Sequence, residues 1–187
     1  MHRSTKWLTG LIGLQALILI PLVLGREYRL FLPYNWHKVL HIAGAVVFLG
    51  NIIVTGLWMA SAERTGGTAV LKFGAHAVNW MDVFFTAPGV ILILVNGLPL
   101  ASQWGGITRV PWILAALLLF VLSGVVWVGL LIPDQNRMIR LSDPVLSDES
   151  LPPAFFRCLH RWYVWGVVAT VLPLISLFLM VLKPKLW

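Results

Sequence analysis

Residues 39–62 read VLHIAGAVVFLGNIIVTGLWMASA and residues 110–132 read VPWILAALLLFVLSGVVWVGLLI, and neither stretch contains Asp, Glu, Lys or Arg. Each is longer than any buried strand, and neither shows the alternation of a membrane barrel. A bilayer core of ~30 Å is crossed by about 20 helical residues. Backbone groups in lipid must be satisfied within the chain, which leaves helices as the spanning structure. Three more apolar segments, 7–24, about 80–100 and 162–182, bring the expected number of spans to five. The fold class is therefore all-α, an integral membrane bundle of five transmembrane helices.

Composition agrees with that class. Of 187 residues, 59% are hydrophobic and 11% charged, and the mean hydropathy is +0.86. These values exclude a soluble enzyme and a disordered tail. The net charge of +7 does not gather on one basic face, which argues against a nucleic-acid partner. The 14 Lys and Arg instead fall mostly in short gaps between apolar runs, at the level of lipid headgroups. Eight lie on the side of the N-terminus and six on the other, so the positive-inside rule puts the N-terminus in the cytoplasm. The single cysteine, Cys158, offers no disulfide and no zinc motif.

The first span follows Arg3 and Lys6, but no small-x-small cleavage site comes after it and Gly25-Arg26-Glu27 does. It reads as a retained helix. Residues 1–34 then form an extra helix with an outer loop, and 35–187 a four-helix core with a polar loop at 133–159. A short helical extension is expected over Asp134 to Leu141. Pro111 suits the first turn of the fourth span. Pro88 and Pro173, inside the third and fifth, predict kinks. Trp7, Trp36, Trp58, Trp80, Trp104, Trp112, Trp162, Trp165 and Trp187 are expected near span ends, and Trp127 deeper.

Polar residues inside lipid turn toward the bundle interior. In the second span His37, His41, Gly44, Phe48, Asn51, Thr55 and Trp58 recur at steps of three and four, so they share one face. In the third, Lys72, His76, Asn79, Asp82, Thr86, Gly89, Ile93 and Asn96 do the same. The first span contributes Gln15 and the fourth Ser123 as interior polar groups. A polar seam between the second and third helices follows, with Asn51, Thr55, Asn79 and Asp82 at its centre.

Neutral imidazole ligates iron, copper and zinc. His41 and His76 do not share one ion, however. If the second and third spans form a hairpin turning near residues 63–67, residues at equal depth have numbers adding to roughly 131–138. The two histidines are then offset by ~20–30 Å along the axis. His76 and His160 form an inner layer that suits a haem. His37 and His41, on one face, form an outer layer that suits copper or zinc, with Met180 as a third ligand. Asp82 with His76, Asn79 and Lys72 suggests proton movement. No nucleophile with a paired base, phosphate loop or carboxylate pair is legible, so no catalytic residues are assigned.

The run Lys38-Val39-Leu40-His41-Ile42-Ala43-Gly44-Ala45 resembles a family of bacterial multi-pass proteins known only as predicted integral membrane proteins of unknown function. So do His76 with Trp80, Asp82, Phe84, Thr86, Ala87, Pro88 and Gly89, the Pro152-Pro153 pair before Arg157, and Lys183-Pro184. The resemblance covers roughly residues 35–185 and implies architecture and a bacterial cytoplasmic membrane. More distantly the chain is similar to small membrane proteins of haem synthesis (HemJ-like) and copper handling (CopD-like), which implies haem b or copper at His41 and His76. The leading expectation is a noncatalytic accessory subunit or helper, with lipid and a larger membrane complex as partners. The alternatives are a haem- or copper-binding redox or cofactor-handling protein, and a proton or small-ion pathway along the seam.

Overall fold

The computed structural model describes residues 3–186, and all the regular structure among them is helical. Five helices are long and apolar enough to cross a membrane: α1 (Arg3–Val23), α2 (Tyr34–Thr65), α3 (Thr68–Ser102), α4 (Pro111–Ser142) and α5 (Pro153–Leu182). Trp187 lies outside the described residues.

The helices run past the apolar segments that announce them. α4 continues to Ser142 and α5 starts at Pro153, so the polar stretch 133–159 is largely helix and only 143–152 connects the two. The expected extension over Asp134 to Leu141 is part of α4. An amphipathic end that leaves the hydrocarbon has no reason to stop at the headgroups, because its buried side still finds partners. Ile132, Gln135, Met138 and Ile139 are all buried there.

α2 ends at Gly66, whose φ of 74° is the left-handed conformation that closes a helix at little cost to glycine. α3 returns antiparallel along α2. At their crossing a Cβ on Gly44 would sit 2.7 Å from Leu92 Cβ and 2.9 Å from the Gly89 carbonyl oxygen, so only small residues permit this approach. α3 is the central helix: 56% of its apolar window is buried, against 11% for α1. α1 packs on α3, and the outer half of α4 packs on α5 rather than on α3.

Two helices carry a π turn. In α3 it spans Asp82–Thr86, closed by the Ala87 N–H on the Asp82 carbonyl. In α4 it spans Trp127–Leu131, closed by the Ile132 N–H on the Trp127 carbonyl. Each widening precedes a proline, Pro88 and Pro133. Pro111 occupies the first turn of α4. Pro173 is buried within α5.

The larger apolar core lies toward the end of the bundle that holds the N-terminus and includes Leu8, Met59, Ala75, Met138, Phe155 and Leu159. Polar contacts brace the same end. Thr5 Oγ1 donates to Asn136 Oδ1 at 2.6 Å. Lys72 Nζ and Thr68 Oγ1 donate to the carbonyls of Asp143 and Glu149, at 2.7 and 2.6 Å. Arg161 forms a two-pronged pair with the fully buried Asp134.

Candidate functional site

The seam exists, with the depth register the hairpin predicts. His37 meets Asn96, His41 meets Ile93 and Asn51 meets Thr86, pairs whose numbers add to values inside 131–138. Its middle is a buried network centred on Asp82. Thr86 Oγ1 donates to Asp82 Oδ1 at 2.7 Å. Trp127 Nε1 and Gln135 Nε2 donate to Oδ2 at 3.1 and 2.9 Å. Asn51 Nδ2 donates to Thr86 Oγ1 at 2.8 Å, and Asn79 Nδ2 to Gln135 Oε1 at 3.2 Å. Thr55 stands apart, since its hydroxyl donates to the Asn51 carbonyl of its own helix.

The side-chain bonds of Thr86, Trp127, Gln135 and Asn79 lead to Asp82. One chain of donors runs from Asn51 through Thr86 and another from Asn79 through Gln135, and both end, with the Trp127 indole, on the Asp82 carboxylate. The geometry is that of a carboxylate fixed by donors from two helices, Thr86 of its own α3 and Trp127 and Gln135 of α4. Asp82 and Trp127 both belong to π turns, which widen the helix and turn these side chains inward. Trp127 and Gln135 were invisible as site residues in the sequence.

The four described histidines divide by what holds them. His76 Nε2 lies 2.8 Å from Asp143 Oδ1, and His160 Nε2 lies 3.2 Å from Glu63 Oε1 with its side chain 67% exposed. The inner pair is thus engaged with two different carboxylates. His37 is fully buried and uses both ring nitrogens. Its Nε2 accepts from the Phe31 and Leu32 N–H groups at 3.2 Å, so Nδ1 carries the proton and donates to Asn96 Oδ1 at 2.9 Å. Among the described residues no group of three or more His, Cys, Asp or Glu is placed to hold a metal ion.

His41 is different. Its Nδ1 lies 2.9 Å from the Ile93 carbonyl oxygen, which can only accept, so Nδ1 carries the proton. Nε2 keeps its lone pair and has no hydrogen bond among the described residues. The ring sits where Gly97 has no side chain: a Cβ there would come within 2.6 Å of His41 Cε1. His41 lines an outer cavity of about 590 Å³, together with Lys38, Trp104, Trp112, Met180 and Lys183. Lys183 Nζ stands 4.2 Å above the Trp104 ring.

A second, inner cavity of about 790 Å³ is lined by Asp82, Thr86, Trp127, Gln135 and Trp162 among mostly apolar neighbours. Phe48, Leu94 and Phe120 line both cavities, and the two phenyl rings meet edge to face with centroids 5.6 Å apart. Trp162, expected at a span end, is 6% exposed, because α5 begins nine residues earlier than its apolar run.

The family model described as a predicted integral membrane protein, DUF2269, matches residues 36–184. The chain belongs to this family. The match opens at the start of α2, as the motif around His41 led us to expect, and leaves α1 of this DUF2269 protein outside it. No curated protein and no solved structure matches the chain, so the more distant likeness to haem-synthesis and copper-handling proteins is not shown.

Proposed function

We propose that this DUF2269 protein holds a haem in its outer cavity, where the His41 imidazole would ligate the iron. The observation that carries the reading is the open Nε2 of His41 beside a cavity of about 590 Å³, a size within the ~300–1,000 Å³ of cofactor sites. Haem-ligating and metal-ligating histidines commonly donate their other N–H to a carbonyl, which fixes ring and tautomer. The Ile93 carbonyl does this for His41. Met180 supplies a thioether on the cavity wall, and Lys38 and Lys183 supply cations for propionates.

Copper has less support, because His37 is committed to Asn96 and the loop N–H groups, leaving His41 and Met180 as two donors. A haem at His76 and His160 has less support for the same kind of reason. When bound, haem supplies one-electron redox chemistry. The chain's own work is to orient the His41 imidazole, enclose the group among Trp104, Trp112 and Met180, and keep water from its face. The accessory-subunit reading rests on apolar outer faces that lipid also covers, and copurification with a stoichiometric partner would raise it. Eight Lys and Arg against six support a cytoplasmic N-terminal end in a bacterial inner membrane.

The test is the absorption spectrum of purified protein loaded with haem. A Soret band that disappears in His41→Ala and persists in His76→Ala is expected. Absence of any band after loading, with a protein that remains folded and monodisperse, would overturn the proposal.

A further inference from the structure

Where α4 leaves its apolar run and α5 approaches its own, residues 132–142 and 153–161 hold four arginines and a single carboxylate, Asp134. Asp134 is fully buried and taken by Arg161, whose side chain is still 53% exposed. Arg137 and Arg157 are exposed and make no ion pair among the described residues. None of the three arginines lines either cavity.

Contacts on both helices fix where these side chains stand. Gln135 bonds to Asp82 of α3 and Asn136 to Thr5 of α1. Arg137, a further turn of about 100° round the helix, faces away from both. On α5, His160 meets Glu63 of α2, and the Ala169 carbonyl meets Ser123 of α4. Arg157, Arg161, Val164 and Val168, at steps of three and four, share the remaining outer side. The two helices are antiparallel, and the Asp134–Arg161 pair sets their register. Arg137 is therefore roughly level with Arg157 on the same outer side, and Arg161 lies one turn deeper.

Depth and charge identify the ligand. The apolar run of α4 ends at Ile132 and that of α5 begins at Trp162, so Arg137 and Arg157 each lie five residues beyond an edge. That is ~7.5 Å along a helix, within the roughly 5–8 Å that headgroups add on each side of the hydrocarbon. Val164 and Val168, exposed on the stripe of Arg157 and Arg161, continue it into the hydrocarbon. A phosphate carried on acyl chains matches both halves of this face, whereas a free phosphate matches only the first. With Arg161 neutralised by Asp134, two uncompensated guanidinium groups remain, and no carboxylate is left for the ammonium of a zwitterionic headgroup.

We propose that Arg137, Arg157 and Arg161 form a site for the phosphate of an anionic phospholipid, in the leaflet on the side of the N-terminus, with its acyl chains along Val164 and Val168.

The experiment titrates the full chain, purified in a non-ionic detergent, with phosphatidylglycerol or with phosphatidylcholine of the same acyl chains. Bound lipids are counted by native mass spectrometry. One saturable phosphatidylglycerol adduct is expected, with phosphatidylcholine about tenfold weaker. Replacing both Arg137→Gln and Arg157→Gln should weaken that adduct about thirtyfold, whereas Arg109→Gln, at the opposite end of the bundle, should leave it unchanged. Both replaced side chains are exposed and Arg161 keeps its pair with Asp134, and thermal unfolding without lipid checks that the double variant is folded. Equal affinity of the wild type for the two lipids would overturn the proposal without recourse to any variant. An equal loss in Arg109→Gln would overturn it in favour of general charge attraction. Inorganic phosphate that displaces the lipid at equal concentration would overturn it in favour of a free anion.

Discussion

Ser123 Oγ donates to the carbonyl oxygen of Ala169 at 2.6 Å, and this is the carbonyl that Pro173, four residues later and without an N–H, leaves without its helical partner. A proline in a membrane helix is tolerated when a neighbouring hydroxyl takes over the freed carbonyl. Ser176 makes the converse contact, donating from α5 to the Ala116 carbonyl of α4 at 2.9 Å. Ser123→Ala is expected to cost about 1–3 kcal/mol, the range for a buried group left unpaired. In the Pro173→Ala background the same change should cost little, because residue 173 then supplies its own N–H. A double-mutant cycle of thermal unfolding in detergent measures the coupling. Strict additivity would show that serine and proline are unrelated.

Asp82→Ala removes the acceptor on which Thr86, Trp127 and Gln135 converge, leaving three buried donors without it. A loss of about 3 kcal/mol or more is expected, read as a lowered melting temperature. If the network is an anchor rather than a wire, proton flux into liposomes should be equally low for the wild type and for any Asp82 variant that still folds. A flux abolished by Asp82→Asn would return the ion-pathway reading.

Two glycines of α2 separate close approach from ordinary helix propensity. Gly44→Ala forces its Cβ against the Gly89 carbonyl and Leu92, and should destabilise the α2–α3 hairpin by about 1–3 kcal/mol. At Gly56 nothing lies within 4 Å of an added Cβ. Gly56→Ala is therefore expected to be neutral or slightly stabilising, as thermal unfolding of both variants would show.

The Tyr28 hydroxyl inserts between two groups that would otherwise bond within α1, accepting from the Leu22 N–H at 3.2 Å and donating to the Ile18 carbonyl at 2.5 Å. Burial pushes its phenol above the ordinary 10.0, partly offset by the Leu22 N–H. A raised folded value means that this contribution is complete below the free phenol's pKa and is lost as pH rises through the folded one. The stability gap between wild type and Tyr28→Phe should thus narrow above about pH 10. A gap that is constant through pH 12 would refute the assignment.

The spans were legible because apolar length alone decides them, and the seam because its polar residues keep a helical period. Register was legible too: a hairpin turning near residue 65 places His41 beside Ile93 whatever the side chains do. Trp127 and Gln135 were not. A π turn adds a residue to the helical repeat, so the phase that marks the interior shifts at Asp82 and again at Trp127, and no residue type announces it. Gln135 falls in the helical extension expected over Asp134 to Leu141, but that stretch is polar enough to read as solvated, and nothing in it marks Gln135 as turned toward Asp82. The difference between His37 and His41 was hidden as well. They share a face at i and i+4, and only the N–H groups of Phe31 and Leu32 decide that one keeps a free nitrogen.

The Phe48 and Phe120 rings carry a meaning beyond packing. Two chambers in series, one bordered by a carboxylate and the other by an imidazole and lysines, would form a short circuit across an energised membrane if water could join them. Phe48, Leu94 and Phe120, the residues that line both chambers, are all apolar, and a hydrophobic constriction of that kind excludes water and ions without any polar gate.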